Sequence, residues 1–284
     1  MKISLLLILV AFTLSSALRA DAIKIVGSDL LIDALSKPLE TYAEEHGVEL
    51  TLDLYGSIPA LRQIRNDEAQ LAIIADPSSE KYIEPDMTVV PFAYQVAYVV
   101  VNQQNPLTEI NMDQLSGIFG TASETYYTRW GELGLGGGMA TRSIQPIVMS
   151  RPNSVVIELF KMKALDRSPL KPNITQIEDY ESNTELIAGD SGAIAVFPYM
   201  PDDRSLRALN VAGAGDQSGI AYDPTRENVY YRDYPMTLPF YLVFRPADQP
   251  KLAGILRFLL SPDMSDKLEE AGFVPLPDNP RKRT

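Results

Sequence analysis

Three short polar turns hold the side chains best suited to bind an anion. They lie at residues 27–29 (Gly-Ser-Asp), 56–57 (Gly-Ser) and 151–154 (Arg-Pro-Asn-Ser), each between an apolar run and a helical pattern. The first turn of a helix presents unpaired N–H groups and a positive dipole end, so several such turns together can bind an oxyanion. Serine would add a hydroxyl donor, and arginine a planar cation that fits phosphate, sulfate or carboxylate. The alternative is that Ser, Asn and Asp here are ordinary helix N-caps.

One more candidate lies at a strand end, and two other features are assigned structural roles. Asp76 follows the buried run 70–75, where it either caps the next turn or faces a cleft, and both readings stay open. His46 lies in Glu-Glu-His-Gly at a helix end, where we expect a C-terminal cap. The glycine run at 134–138 lacks the Gly-Lys-Ser/Thr ending of a nucleotide loop, so we expect a surface loop. The candidate ligand contacts are therefore Ser28, Asp29, Ser57, Asp76, Arg151, Asn153 and Ser154.

Composition argues against most catalytic chemistry. The 284 residues include one His and no Cys, which excludes thiol nucleophiles, zinc–thiolate sites, iron–sulfur clusters and His-metal clusters. The one histidine, His46, is assigned to a helix C-terminal cap, which leaves none for a Ser-His-Asp triad. Carboxylates are too numerous for any pair to be singled out as an acid–base dyad. We therefore expect a non-catalytic protein with no metal and no cofactor. The net charge of −12, from 25 Lys and Arg against 37 Asp and Glu, argues against binding to nucleic acid or anionic membranes.

The first residues predict a secretory signal peptide. Lys2 precedes an apolar run at 3–14, and Ala20 and Ala22 fit an A-x-A cleavage site. The run is too short to span a membrane, which takes roughly 20 residues. We therefore assign residues 1–22 to the signal peptide, with cleavage after Ala20 or Ala22, and expect a soluble mature protein in a Gram-negative periplasm. Since the chain has no cysteine, we expect no lipid anchor.

Predicted strands and helices alternate along the rest of the chain, which indicates an α/β fold with a parallel sheet and right-handed crossovers. Pro38 should kink or reset the first helix, and Asn111 should cap the helix that follows it. The run 89–102 predicts one long strand that crosses between domains, and 235–244 a late edge or return strand. The predicted strands are 23–26, 48–55, 70–75, 89–102, 143–150, 192–199, 206–211 and 235–244.

Taken together, these landmarks resemble the phosphate-binding proteins of ABC importers, within the type II periplasmic binding protein superfamily. The most specific match is VVVNQQNPLTEINMDQLSGIFG, and IKIVGSDLL, LYGSIPALRQIRNDEAQLAIIADP, PIVMSRPNSVVIELF and GAIAVFPY also match, in order, over most of 23–277. The resemblance implies two α/β lobes, each a mixed sheet flanked by helices, which are joined by two crossing strands and hold the anion between them. Residues 23–101 plus about 231–284 would form one lobe, and 102–230 the other.

The resemblance also implies roles for the candidate residues. Ser28 and Ser57 match the serines of the family's first and second Gly-Ser turns. Arg151 and Ser154 match the Arg and Ser of its Arg-x-x-Gly-Ser-Gly-Thr turn. Asp76 falls at, or one residue away from, the family carboxylate that accepts a phosphate proton.

Three departures from the family pattern weaken that site. Asp29 stands where threonine is expected, and it would repel a dianion by on the order of a kcal/mol or more at partial burial. Ile58 and Pro59 follow Ser57 in place of a more flexible sequence, and Pro59 also removes an N–H donor. Val155-Val156 replaces Gly-Thr, with the loss of a hydroxyl. We therefore expect the fold to be kept and tight phosphate binding to be impaired.

Two functions remain open as alternatives. The first is a periplasmic substrate-binding protein of the phosphate or oxyanion ABC-transporter type. Such a protein would be a non-catalytic monomer that closes on a small phosphate-like oxyanion by hinge bending. It would deliver the oxyanion to an ABC importer membrane complex. The second is a diverged family member that no longer binds phosphate and acts as an envelope accessory or interaction protein. An enzyme on the same fold is disfavoured, because the chain offers few nucleophiles or bases.

Overall fold

The computed structural model of the chain describes residues 22–75, 83–149, 155–213 and 219–277. Within these ranges the strands form sheets of six, five and three strands, with helices packed against them. The helices, α1 to α8, are Ile32–His46, Ser57–Arg65, Met112–Phe119, Val155–Ala164, Tyr180–Gly189, Arg226–Tyr230, Gln249–Leu259 and Pro262–Glu270. The strands, β1 to β14, are Ile23–Gly27, Leu50–Leu54, Leu71–Ala75, Thr88–Val96, Tyr98–Asn102, Glu109–Asn111, Gln145–Met149, Thr175–Ile177, Ala193–Phe197, Leu206–Ala208, Asn210–Ala212, Ala221–Tyr222, Thr237–Phe244 and Val274–Pro275.

The six-stranded sheet contains the first two polar turns. Its strand order is β14-β4-β13-β3-β1-β2, and β1 pairs in parallel with both β2 and β3. Successive residues of β1 serve opposite faces, as the strand period requires. Ile25 belongs to the core shared with α1, whereas Val26 belongs to the core shared with α2. Helices on both faces thus bury the parallel strands.

Strand β13 lies in the interior of the six-stranded sheet. It pairs antiparallel with β3 on one side and β4 on the other, and all eight of its residues are buried. The prediction of an edge strand at 235–244 is therefore wrong, and the prediction of a return strand is confirmed. The run TLPFYLVF is nearly continuously apolar, which suits a strand covered on both faces.

The second sheet has the order β10-β5-β9-β7-β8, and a small third sheet has the order β12-β11-β6. The run 206–211, predicted as one strand, divides into β10 on the second sheet and β11 on the third. Leu209 lies between them and donates its N–H to Val99 O at 2.8 Å. Trp130 is fully buried and donates its indole N–H to Gly192 O at 3.1 Å.

The chain passes between the two large sheets at Ala97. The expected single strand at 89–102 is two strands, β4 in the six-stranded sheet and β5 in the five-stranded sheet, although the crossing itself is as predicted. The chain returns beside this point, where Ala97 N donates to Met236 O and the buried Tyr234 hydroxyl donates to Ala97 O, both at 3.0 Å. The predicted α/β fold, with two mixed-sheet lobes joined by crossing segments, is confirmed.

Two local predictions have different outcomes. Asn111 caps α3 through a full capping box, in which Gln114 N donates to Asn111 Oδ1 at 2.8 Å and Asn111 N donates to Gln114 Oε1 at 3.0 Å. Pro38 does not reset the first helix, because α1 runs without a break through Pro38 and is 15 residues long in total, Ile32–His46. Leu35 and Leu39, on either side of Pro38, are fully buried, and their packing offsets the lost backbone hydrogen bond. In the described part of the chain, no helix has the length and apolar character needed to cross a membrane.

Candidate functional site

The first two polar turns lie side by side at one edge of the six-stranded sheet. Gly27, the last residue of β1, is opposite Leu54, the last residue of β2, on one side and Ile73 of β3 on the other, so β1 and β2 end at the same level and β3 continues two residues further to Ala75. Beyond the strands, Gly56 N donates to Gly27 O and Ser28 N donates to Ile73 O, both at 2.8 Å. These bonds fix the two turns against each other. The carboxyl ends of parallel strands are where open α/β sheets bind ligands.

Glycine is required at position 27 because the backbones approach closely. A Cβ atom there would lie 2.3 Å from Ile73 O, well inside van der Waals contact. Gly56 has a φ of +122°, which side chains other than hydrogen rarely tolerate. The two glycines therefore serve the geometry of the turns, and the serines after them supply the polar groups.

Ser57 begins α2 and links it to the end of β3. Its Oγ accepts a hydrogen bond from Ala75 N at 2.9 Å. Since Gly56, at the N-cap, offers no side-chain cap, the positive end of this nine-residue helix is not covered by a capping oxygen. The Ser57 hydroxyl proton can be donated while its oxygen accepts from Ala75, so Ser57 can serve both the fold and a ligand.

Ser28 is an N-cap, as the structural alternative proposed. It is only 2% exposed, and its Oγ accepts from Leu30 N at 3.4 Å at the start of the short 3-10 turn Asp29–Leu31. A serine in this position retains a hydroxyl proton to donate. Asp29 follows it directly, is exposed, and forms no salt bridge with any residue of the described ranges. The carboxylate that was expected to disturb the site is thus next to it in the chain.

Four of the predicted contacts, Asp76, Arg151, Asn153 and Ser154, lie outside the described residues. The elements that flank them are described. Strand β3 ends at Ala75, immediately before Asp76. Strand β7 is parallel to β8 and β9, and the predicted arginine turn lies between its end at Met149 and the start of α4 at Val155. Asp76 and the arginine turn are therefore, like the serines, next to the carboxyl ends of strands.

The remaining sequence candidates have structural roles. His46 is the last residue of α1, where its Nδ1 lies 3.0 Å from Tyr42 O and its ring stacks on Tyr42. Gly47 follows with a φ of +61°, the left-handed conformation of a helix C-cap. The glycine run 134–138 is largely exposed. In the described ranges, no group of three or more His, Asp or Glu side chains could hold a metal ion.

Sequence reasoning missed a polar cluster at the crossing between the sheets. Gln95 is 6% exposed, and its Nε2 donates to Pro198 O at 3.3 Å, beyond the end of β9, and to Gly272 O at 3.2 Å, before β14. Burial raises the pKa of Tyr98 to about 12 and also raises that of Tyr94, so both phenols resist ionisation at alkaline pH. The available signal was a glutamine inside an otherwise apolar strand, since a buried amide needs partners.

Three surface pockets formed by described residues lie away from these turns. They have volumes of about 640 Å³ between α1 and α8, about 540 Å³ between α1 and β2, and about 510 Å³ beside β6. None of them is lined by Ser28, Asp29 or Ser57. The candidate site is therefore defined by the strand ends and their hydrogen bonds, and none of these three pockets encloses it.

Comparison with known proteins places the chain in a family. The family description "PBP superfamily domain" matches residues 14–263. The phosphate-binding protein PstS of Pseudomonas aeruginosa is 23% identical over 275 residues, which cover 89% of this chain and 82% of that protein.

Solved structures show the same fold. An ABC-type phosphate transport receptor from Vibrio cholerae is 20% identical and superposes with a TM-score of 0.61 over 89% of this chain and 99% of that one. PstS from Borrelia burgdorferi is 18% identical, with a TM-score of 0.71 over 90% of this chain and 99% of that one. Since the family match extends over most of its length, the chain belongs to the PBP superfamily of periplasmic binding proteins.

Proposed function

We propose that the protein is a substrate-binding receptor of the phosphate or oxyanion ABC-importer type and that it catalyses no reaction. The observation that carries this proposal is the juxtaposition of the two Gly-Ser turns at the carboxyl ends of β1 and β2, held by the Gly56–Gly27 and Ser28–Ile73 hydrogen bonds. The relatives named as phosphate-binding proteins and phosphate transport receptors support it. The chemistry is reversible binding, for which hydroxyl and helix N–H donors suffice.

The ligand would be held between the two lobes. Ser28 and Ser57 would contribute donors from the first lobe, and Arg151, Asn153 and Ser154 would contribute a cation and further donors from the second. We propose the lobe limits 23–101 with about 231–284, and 102–230. The change of sheet at Ala97 supports a hinge near the first of these limits. Closure by hinge bending would bring the arginine turn over the serine turns.

Location and partners follow from the same proposal. Residues 1–22 would be removed as a signal peptide, and the mature monomer would work in the periplasm beside an importer membrane complex. Export can be checked by the intact mass of protein recovered from the periplasm, which should match cleavage after Ala20 or Ala22. Recovery of the uncleaved chain from the cytoplasm would contradict this part of the proposal.

The test of ligand binding is calorimetric titration of the mature protein with inorganic phosphate. Ser57→Ala should weaken binding by about ten- to a hundredfold, since hydrogen bonds to charged groups contribute about 1.5–3 kcal/mol. Because Ser57→Ala also removes the acceptor for Ala75 N, Ser57→Thr is needed as a variant that keeps the hydroxyl, and it should retain binding. Ser36→Ala is the matched control, at a partly exposed serine of α1 whose Oγ donates to Ile32 O. Binding that survives Arg151→Ala unchanged would refute the proposed site.

The second candidate function is a diverged receptor that has lost phosphate and acts as an envelope accessory protein. The observation that favours it is the exposed carboxylate of Asp29 directly after Ser28, where it would oppose a dianion. No thermal shift with phosphate, sulfate, molybdate or organic phosphates would support this function over the first. A saturable shift with phosphate would exclude it.

A further inference from the structure

Exposed apolar side chains flank the two serine turns. Tyr55 is 79% exposed and follows β2, Ile58 is 53% exposed and lies in the first turn of α2, and Ile32 is 43% exposed at the start of α1. Single exposed apolar residues are normal on protein surfaces. These three differ because Tyr55 and Ile58 stand on either side of Gly56-Ser57, and Ile32 lies four residues after Ser28. Exposed apolar side chains beside polar groups are a feature of binding surfaces.

Among the described residues, the charges beside the two serine turns disfavour a doubly charged ligand. Asp29 is exposed beside Ser28 and has no salt-bridge partner within the described ranges. The chain as a whole carries a net charge of −12, so its overall field also opposes anions. The repulsion from Asp29 scales with the charge on the ligand, whereas each hydroxyl still donates one hydrogen bond. Repulsion from Asp29 therefore weakens the binding of a monoanion less than the binding of a dianion at this site.

We propose that the ligand is a singly charged oxyanion that carries an apolar group, of the phosphodiester type. Its anionic oxygens would accept hydrogen bonds from Ser28 and Ser57, and its apolar group would cover Tyr55 and Ile58. This inference rests on the proposed function, because it uses the same two turns as the anion site. The proposed ligand differs from inorganic phosphate in two ways. Its apolar group suits the exposed Tyr55 and Ile58, and its single charge is repelled less by the Asp29 carboxylate.

Four probes separate charge from apolar character. At pH 8, inorganic phosphate and phenyl phosphate are mainly dianions, since the second pKa of a phosphate monoester lies near 6 and that of inorganic phosphate also lies below 8. Dimethyl phosphate and methyl phenyl phosphate are monoanions at this pH. Calorimetric titration of the mature protein should show methyl phenyl phosphate as the tightest ligand. We expect it to bind about tenfold more tightly than dimethyl phosphate and about tenfold more tightly than phenyl phosphate, where tenfold equals about 1.4 kcal/mol.

Variants assign the two preferences to residues. The double variant Tyr55→Ser/Ile58→Ser should weaken the binding of methyl phenyl phosphate about tenfold and leave the affinity for dimethyl phosphate unchanged. Asp29→Asn should strengthen the binding of the two dianions about tenfold relative to the binding of the two monoanions. Leu186→Ser, which replaces a 42% exposed leucine of α5, is the control and should change none of the four affinities. Because the replaced side chains are exposed, melting temperatures of all variants should stay close to that of the parent protein.

The outcomes distinguish this inference from the proposed function. If inorganic phosphate binds most tightly and Ser57→Ala weakens it, the receptor function stands and this inference is refuted. If methyl phenyl phosphate binds most tightly but the double variant binds it equally well, the assignment to Tyr55 and Ile58 is refuted. If none of the four probes binds, this inference is refuted, and the receptor function fails for phosphate and its esters.

Discussion

Replacement of Gly27 by alanine should damage the candidate site through the backbone alone. The new Cβ would lie 2.3 Å from Ile73 O and 3.1 Å from Ile73 N and C, whereas Cβ contacts below 3.0 Å are essentially never seen. The obstacle is the backbone of the neighbouring strand, which cannot rotate away as a side chain could. Strands β1 and β3 would therefore have to separate at the point where both turns begin.

The size of the effect follows from the bonds at that point. Separation would break or stretch the Ser28 N–Ile73 O and Gly56 N–Gly27 O hydrogen bonds, both 2.8 Å long. Each contributes about 1 kcal/mol, and overpacking a buried position costs about 1–3 kcal/mol. We expect Gly27→Ala to lower the free energy of unfolding by about 3–5 kcal/mol. For a chain of this size that corresponds to a fall in the melting temperature on the order of 6–15 °C.

Urea unfolding followed by circular dichroism, together with calorimetric melting, measures this change. The matched control is Gly189→Ala at the last residue of α5, where a Cβ would meet nothing within 4 Å. That variant should lose no stability and could gain up to about 1 kcal/mol, because alanine has less backbone entropy to lose than glycine. Equal stability of the two variants would refute the close-approach reasoning.

Three further changes test other parts of the structure. Tyr234→Phe removes the buried hydroxyl that donates to Ala97 O at 3.0 Å, so the free energy of unfolding should fall by about 1–2 kcal/mol. The control is Tyr126→Phe at an exposed tyrosine, which should change the free energy of unfolding by less than about 0.5 kcal/mol. Asn111→Ala deletes the capping oxygen of α3 and should cost about 0.5–2 kcal/mol in urea unfolding, and an unchanged midpoint would show that the cap contributes nothing. Burial raises the pKa of Tyr98 from 10.0 to about 12, so the Tyr98 phenol loses its proton at a lower pH in the unfolded protein than in the folded protein. The free energy of unfolding should therefore be steady below pH 10 and fall as the pH rises towards 12. Tyr98→Phe should make that fall shallower, and an unchanged alkaline slope would contradict the assignment.

Much of the fold could be predicted because its local signals agree. Apolar runs that end in Gly-Ser and lead into helical spacing place β1, β2, α1 and α2 with their turns. Asn111 followed by Gln114 is a capping signature that needs no tertiary information. Predictions were wrong where the outcome depended on distant partners. Whether 235–244 is an edge or an interior strand depends on β3 and β4, which the run itself does not encode.

The candidate site could be predicted only in part, for a similar reason. Residue types and strand ends point to Ser28 and Ser57, but the bond from Ala75 N to Ser57 Oγ joins positions 18 residues apart and is visible only after folding. Gln95 was overlooked because its role depends on the carbonyls of Pro198 and Gly272, 103 and 177 residues away.

The sequence by itself determined the alternation of strands and helices, the lack of cysteine chemistry, and the residue types at the turns, since these depend on local propensity and composition. Only the tertiary structure decided that Gly27 must be glycine, that β1 lies between β2 and β3, and that the chain changes sheets at Ala97. Strand order and close backbone approach arise from contacts between distant segments, and a local pattern carries no record of which segments will meet.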